Sequence, residues 1–267
     1  MSWINMLQPT RKVIRKPIIL SIFFVAVINS ALGQAVTRER QPSREAVALT
    51  NLGFTFSKSS QYTKAVAALT RAIELEPELA EAHYLLGAAY NNMGLHSDAV
   101  KEFSEAIRLK PGWGEAYSGL GVAYNCLKLF DESVKTLQQA IKLAPSWAQP
   151  YVNLSVTYAN QGRFQEAAEA SQHAIRLDPN LPEAHHRLGI AYGHLRKHKE
   201  AVICLRRAIF LRPDYAEAHM DLGAIYLRLS KRAEAIEQYR KLQVLNSSLA
   251  TELFKSIYKG KILTVSQ

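Results

Sequence analysis

Residues 81–90 read Glu-Ala-His-Tyr-Leu-Leu-Gly-Ala-Ala-Tyr, and the stretch returns at every step of 34 residues along the chain. Its leucine slot is Leu52, Leu86, Leu120, Leu154, Leu188 and Leu222, followed by Gly53, Gly87, Gly121, Ser155, Gly189 and Gly223. An aromatic ring stands three residues later at Phe56, Tyr90, Tyr124, Tyr158, Tyr192 and Tyr226. Nine residues on comes a small residue (Ala65, Ala99, Ser133, Ala167, Ala201, Ala235), and Pro77, Pro111, Pro145, Pro179 and Pro213 close the units, with Ser247 in the last. Six units follow one another without insertion from Ala46 to Leu249, and self-similarity at such a period is the signature of a stacked repeat array.

Within a unit the apolar residues recur at helical spacing. Ala82, Leu85, Leu86, Ala89 and Tyr90 form one face, Gly94 breaks the run, and Ala99, Val100, Phe103, Ala106 and Ile107 form a second. Gly87 and Ala99 are small because the two helices of a hairpin approach closely there. Ser146 with Gln149, Asn180 with Glu183 and Asp214 with Glu217 have capping-box spacing, and the preceding proline stops the helix before. A lone helix pair cannot bury both its faces, so neighbouring units must stack.

The filled leucine-glycine, tyrosine, alanine, aromatic and proline slots resemble the tetratricopeptide repeat. The resemblance implies an all-α solenoid: a right-handed superhelix of six helix-turn-helix units (46–79, 80–113, 114–147, 148–181, 182–215, 216–249) with a concave groove. It implies an interaction scaffold, not an enzyme and not a particular partner. Residues 250–267 are expected to add a capping helix and a frayed tail, with Ser248 in the capping slot and Leu253, Phe254 and Ile257 on the apolar face.

Ahead of the array, Arg11, Lys12, Arg15 and Lys16 precede the apolar run Ile18 to Ile28, interrupted only by Ser21, and Ala31-Leu32-Gly33. A cationic start, a short apolar core and small residues have the form of a secretory signal peptide over residues 1–33. Eleven core residues fall short of the roughly 17 to 25 that span a bilayer, and an uncleaved anchor over residues 18–35 is the second reading. The protein is accordingly expected to be exported, periplasmic or secreted, or else tethered. Residues 34–45, with Arg38, Arg40, Pro42 and Arg44, read as a linker.

The chain carries 33 basic and 23 acidic residues. The surplus outside the leader concentrates in the fifth unit, at Arg187, Arg196, Lys197, Lys199, Arg206, Arg207 and Arg212. Such a field attracts acidic protein, anionic lipid or polyanionic sugar, or else serves as a solvated face; nucleic acid is not expected for an exported chain. Cys126 and Cys204 are too far apart for a disulfide and read as buried apolar residues. The histidines fall into repeat slots: His83, His185 and His219 share one with Tyr117 and Tyr151, so they read as packing residues, and no metal is expected. Gly112, Gly114, Gly119 and Gly121 lack a following lysine-serine pair, and no Gly-x-Ser-x-Gly elbow exists; neither catalysis nor a cofactor is expected.

Function is therefore sought in the groove, which the resemblance places on the inner helix of each unit. Its candidate residues are Asn51, Phe54, Lys58, Tyr84, Asn92, Asn125, Asn153, His186, Arg187, His194 and Arg228, among slots that also hold Ser118, Gln149, Asn160, Ile190 and Asp221. The lysine-asparagine clamp for chaperone carboxyl termini is not reproduced. The asparagine ladder of glycosyltransferase-type arrays survives only at Asn51 and Asn153. The expected occupant is a peptide or helix of a protein partner. Its acidic part would lie against His186, Arg187, His194 and Arg228, its apolar part against Phe54 and Tyr84. Membrane contact is expected only through the amino-terminal segment. An envelope assembly factor, for a pilus or polysaccharide export, and an accessory subunit regulating an enzyme are the alternatives.

Overall fold

The computed structural model describes residues 43–258. The leader, the linker as far as Pro42 and the tail from residue 259 lie outside the described residues. Thirteen helices and no strand occupy the described residues. The first helices of the hairpins are α1 (Arg44–Lys58), α3 (Ala80–Asn92), α5 (Gly114–Cys126), α7 (Ala148–Asn160), α9 (Pro182–His194) and α11 (Ala216–Arg228). Their partners are α2 (Tyr62–Leu75), α4 (His96–Leu109), α6 (Phe130–Leu143), α8 (Phe164–Leu177), α10 (His198–Leu211) and α12 (Arg232–Leu245), and α13 (Ser247–Tyr258) follows.

Each hairpin turns in the same way. The residue at the turn has positive φ in all six: Ser60, Gly94, Lys128, Gly162, Arg196 and Ser230. The next N–H then reaches back five residues: Gln61 to Phe56 O, Leu95 to Tyr90 O, Leu129 to Tyr124 O, Arg163 to Tyr158 O, Lys197 to Tyr192 O and Lys231 to Tyr226 O, at 2.8–2.9 Å. This is the bond that closes a helix on a left-handed residue. Glycine adopts that conformation freely, but only Gly94 and Gly162 supply it here.

The helix starts differ from the capping boxes expected. No side chain caps α3, α5, α7, α9 or α11. Their N-cap residues are Leu79, Trp113, Trp147, Leu181 and Tyr215, one position after Ser146, Asn180 and Asp214 in the three predicted boxes. That slot faces the preceding hairpin, as Tyr215 packing on Ala208 and Ala218 shows, so apolar burial fixes the start instead of a capping oxygen. The carboxyl-terminal cap shifts too: Asn246 Oδ1, not Ser248, accepts the N–H groups of Ser248 and Leu249 at 3.1 Å.

The core runs between hairpins. Leu86, Ala82 and Ala89 of α3 pack against Ala65, Leu69 and Ala72 of α2, and the arrangement repeats down the array. A Cβ on Gly87 would stand 3.1 Å from the Phe103 ring, and one on Gly121 2.6 Å from Leu137 Cγ, which accounts for the small slot. In α13, Leu253 and Ile257 close the far end of the core, whereas Phe254 lies at its edge between Tyr239 and Tyr258. Leu52 departs from its slot: it is 43% exposed, because no helix among the described residues precedes α1.

Successive first helices touch one another from α1 through α11 and on to α13, while no two second helices make comparable contact. The array therefore curves with its first helices inside and its second helices fanned outside.

Candidate binding groove

The histidine slot shows how side chains on the first helices are fixed. His83, His185 and His219 each direct Nε2 to the carbonyl of the closing proline before them, Pro77, Pro179 and Pro213, at 2.9–3.0 Å. His83 Nδ1 lies 2.7 Å from Glu102 Oε2, so both ring nitrogens face acceptors. Burial opposes charge on this ring, but the Glu102 and Pro77 hydrogen bonds outweigh it and raise its pKa above the ordinary histidine value. His219 Nδ1 meets Gln238 Oε1 at 2.8 Å. His83 and His219 thus tie α3 and α11 to the turn before and to the partner helix, and His185 ties α9 to its turn. Among the described residues no three potential ligands of the His, Cys, Asp and Glu types form a metal-sized group.

On the inner face the candidate residues fall into three places. At the amino-terminal end Asn51 and Phe54 are exposed, with Lys58 Nζ 4.9 Å above the Phe54 ring. Tyr84 is half-buried against Phe103 and Trp113, and burial, with the nearby Glu115 charge, raises its phenol pKa. Asn92 turns its amide back onto Ala88 O at 2.8 Å.

In the middle, polar side chains bridge adjacent helices. Asn153 donates to Ser118 Oγ at 3.1 Å and accepts from Gln149 at 3.2 Å, and Asn160 donates to Asn125 Oδ1 at 3.0 Å. Asn125 and Asn153 thus take part in two separate polar bridges between α5 and α7. Gln149 and Ser118 belong to the Asn153 bridge, and Asn160 to that of Asn125.

At the carboxyl-terminal end the expected cationic cluster is rearranged. His186 is not a groove surface residue: it is 3% exposed, its Nε2 2.7 Å from Asp221 Oδ2 and its Nδ1 2.9 Å from the Tyr215 hydroxyl. Tyr215 fills the N-cap slot and covers the ring, which is why helical spacing alone misplaced it. His194 is exposed but lies flat on Phe164, with ring centroids 4.0 Å apart. Arg187 is partly buried, and its Nε has no hydrogen-bond partner among the described residues. Arg228 is exposed. Glu183 is held by Arg212.

Between α9 and α11 this end opens into a recess. Leu205 and Ile225 form its apolar base, Ile190 and Ala224 its walls, and His194, Asp221 and Arg228 its polar rim. It exists because Gly193 and Ala224 are small: a Cβ on Gly193 would meet Ile225 Cδ1 at 2.9 Å. Gly193 and Ala224 were not singled out from the sequence. The available signal was that Ser57, Asn91, Asn125, Ala159 and Leu227 fill the slot of Gly193 in the other units.

Both cysteines are free thiols, and they differ in setting. Cys126 is exposed at the end of α5, contrary to expectation, because its slot faces the groove and not the hairpin interface. Cys204 is partly buried, and burial together with Glu200 pushes its pKa up to about 11.

Comparison with known proteins agrees with this architecture. The crystal structure of the Cut9–Hcn1 hetero-tetramer of the APC/C superposes with a TM-score of 0.73 at 19% identity, covering 89% of this chain and 46% of that one. PilW, described as a widely conserved type IV pilus biogenesis factor, gives 0.71 at 20% identity, covering 80% of this chain and 99% of its own. PilF from Pseudomonas aeruginosa gives 0.66 at 19%, covering 79% and 97%. Likeness at these identities concerns the fold. No curated protein sequence matches the chain. Residues 29–252 match the profile of a family described as the Cilia and flagella-associated protein 70 C-terminal domain, and the chain belongs to this family of tetratricopeptide-repeat domains.

Proposed function

We propose that the protein is a non-enzymatic interaction scaffold that receives a segment of a partner protein along its inner face. The observation that carries this reading is the recess between α9 and α11. It has an apolar base for one side chain and a rim bearing Asp221, His194 and Arg228, opened by the small residues Gly193 and Ala224. The amide side chains of the α5–α7 bridges offer groups suited to an extended backbone. Because His186 is enclosed and Asp221 stands in the rim, the recess is of mixed charge: Arg228 and Arg187 favour an acidic flank on the partner, and the base favours an aliphatic anchor. Export or tethering is part of the proposal and rests on the cationic block and apolar run of residues 11–33. The pilus biogenesis factor among the structural neighbours is compatible with work in a cell envelope.

A photoreactive benzoylphenylalanine at position 224 tests the reading. The full-length protein is expected to cross-link to a discrete partner in envelope extracts, and the adduct to vanish when Gly193→Val fills the recess while far-ultraviolet dichroism is unchanged. Cross-linking that persists in the Gly193→Val protein, or that is matched by the same probe at the outer position 101, excludes the recess as the site.

A further inference from the structure

The outer face of the last two hairpins differs from that of the others. Phe210 and Ile203 on α10 are 73% and 69% exposed, and Val244 on α12 is 88% exposed. The slot of Phe210 and Val244 holds Glu74, Arg108, Lys142 and Arg176 in the other units, and that of Ile203 holds Ala67, Lys101, Lys135, Glu169 and Glu237. These rows are otherwise charged or small, so the apolar residues are a local departure. Ile203 and Phe210 lie two helical turns apart on one face, about 10 Å along the axis. Phe210 borders the same shallow recess as Glu237 and Lys241, and these two continue to the wall formed by Val244, so the apolar residues belong to one surface.

The charges around them add to the difference. On the earlier outer helices Arg71 pairs with Glu74, Lys101 with Asp98 and Arg108 with Glu105, while Lys64, Lys135, Lys142 and Arg176 make no ion pair among the described residues and have no exposed large apolar side chain in these rows beside them. On α10 and α12, Arg206, Arg207, Arg240 and Lys241 are exposed and make no ion pair among the described residues. Arg207 stands over the Phe210 ring at 5.2 Å. The acids facing this surface are Glu200, beside Lys199, Glu234, 3.7 Å from Lys231, then Glu237 and Asp214; with Lys199 and Lys231 counted beside the four unpaired cations, six positive groups stand against four acids.

Side chains that project from a convex ridge are poorly shaped for a rigid protein groove, but they enter a soft layer one by one. Apolar tips among uncompensated cations match a surface with anionic headgroups above acyl chains. We propose that the outer face of α10 and α12 is a peripheral docking surface for an anionic membrane, with Phe210, Ile203 and Val244 entering the headgroup–acyl boundary and Arg206, Arg207, Arg240 and Lys241 pairing with lipid phosphates. This surface shares no residue with the leader or with the recess of the inner groove.

The test uses the full chain, with Phe210→Trp as a local reporter and Lys101→Trp, on the outer face of the second hairpin, as its control. Vesicles contain equal parts phosphatidylglycerol and phosphatidylcholine, or phosphatidylcholine alone. Spectra are read as differences from the wild type, which cancels Trp3, Trp113 and Trp147 and any binding through the leader. On the anionic vesicles the indole of the Phe210→Trp protein is expected to shift its emission to the blue and to be quenched by brominated acyl chains, whereas that of the Lys101→Trp control does neither. Phosphatidylcholine alone should leave the reporter unchanged. Adding Arg206→Glu and Arg207→Glu should weaken the response at least about tenfold, since each cation near such a surface is worth about fivefold. A reporter signal no different from the control on anionic vesicles overturns the proposal, as does a response that survives both arginine reversals. A blue shift that rises with protein concentration in the absence of lipid also overturns it and assigns the patch to a second copy of the chain.

Discussion

Gly121 offers a demanding test of how the hairpins are held. It sits on α5 in the small slot, and its carbonyl accepts the Ser133 hydroxyl at 2.7 Å. A Cβ there would lie 2.6 Å from Leu137 Cγ and 2.8 Å from Cδ2, well inside contact distance. Leu137 is fully buried, with Leu154 and Ala170 behind it, so it has no free space to retreat into. Replacing glycine by alanine in a helix interior gains roughly 0.5 to 1 kcal/mol in propensity, while overpacking a filled core costs about 1 to 3 kcal/mol. Gly121→Ala is therefore expected to lose about 1 kcal/mol net, and Gly121→Leu at least about 3 kcal/mol, as three more carbons must enter the same space. Gly112 is the control, because nothing lies within 4 Å of its would-be Cβ. Gly112→Ala should be neutral or stabilising by up to about 1 kcal/mol through the unfolded chain alone. Urea unfolding followed by circular dichroism, compared at unchanged slope, separates the cases. A Gly121→Ala protein as stable as Gly112→Ala would refute the close-contact account of the small slot.

The left-handed turns give a prediction of opposite sign. Lys128→Gly should stabilise by about 0.5 to 1 kcal/mol, because φ of 62° is strained for lysine and free for glycine, and an unchanged or lowered melting point would contradict this. The raised pKa of His83 means that the folded state holds this proton more tightly than the unfolded chain. Its stabilising contribution is complete below the ordinary histidine value of about 6.5 and fades as pH rises through the raised value, so unfolding free energies between about pH 5.5 and 8.5 should fall more steeply for wild type than for Glu102→Gln. Asp221→Ala leaves the enclosed His186 Nε2 without its partner and should cost about 1 to 3 kcal/mol in a thermal melt, whereas a change within error would show that water reaches the ring. In the native protein at pH 8 a thiol reagent should label Cys126 faster than Cys204, whose thiol is held near 11, and equal rates would contradict the burial assigned to Cys204.

The solenoid was legible because its determinants are periodic. Leucine, glycine, tyrosine and alanine slots recur at a fixed step, and helical spacing within each unit places them on one face. Gly94 likewise announced its turn. Lys128 and Arg196 did not, since a lysine or arginine gives no sign of positive φ; the fixed loop length imposes the conformation. The capping boxes failed for a related reason. The pattern of Asn180 with Glu183 describes an isolated helix, whereas in the array a partly buried Leu181 or a buried Tyr215 in the next slot decides where the helix begins. The groove was readable as a set of slots but not as a surface. Whether His186 faces solvent depends on Tyr215, which belongs to the next turn, 29 residues away. The recess at Gly193 required comparing one slot across units for what was missing. Phe210 and Val244 could have been flagged in the same manner, as apolar entries in a charged row.

The contacts between successive first helices, with no counterpart among the second helices, make the array mechanically one-sided. Its inner edge is a row of abutting bodies, while its outer edge is spaced like the splayed leaves of a bent book. Tightening the curve compresses side chains already in contact, whereas straightening it only widens inner gaps and draws outer helices together. The stiffness of such a spring is therefore lower in extension than in compression. A guest in the proposed recess between α9 and α11 would act as a wedge on the inner edge, and filling the groove would then change the spacing of α10 and α12 on the opposite face through the same bend.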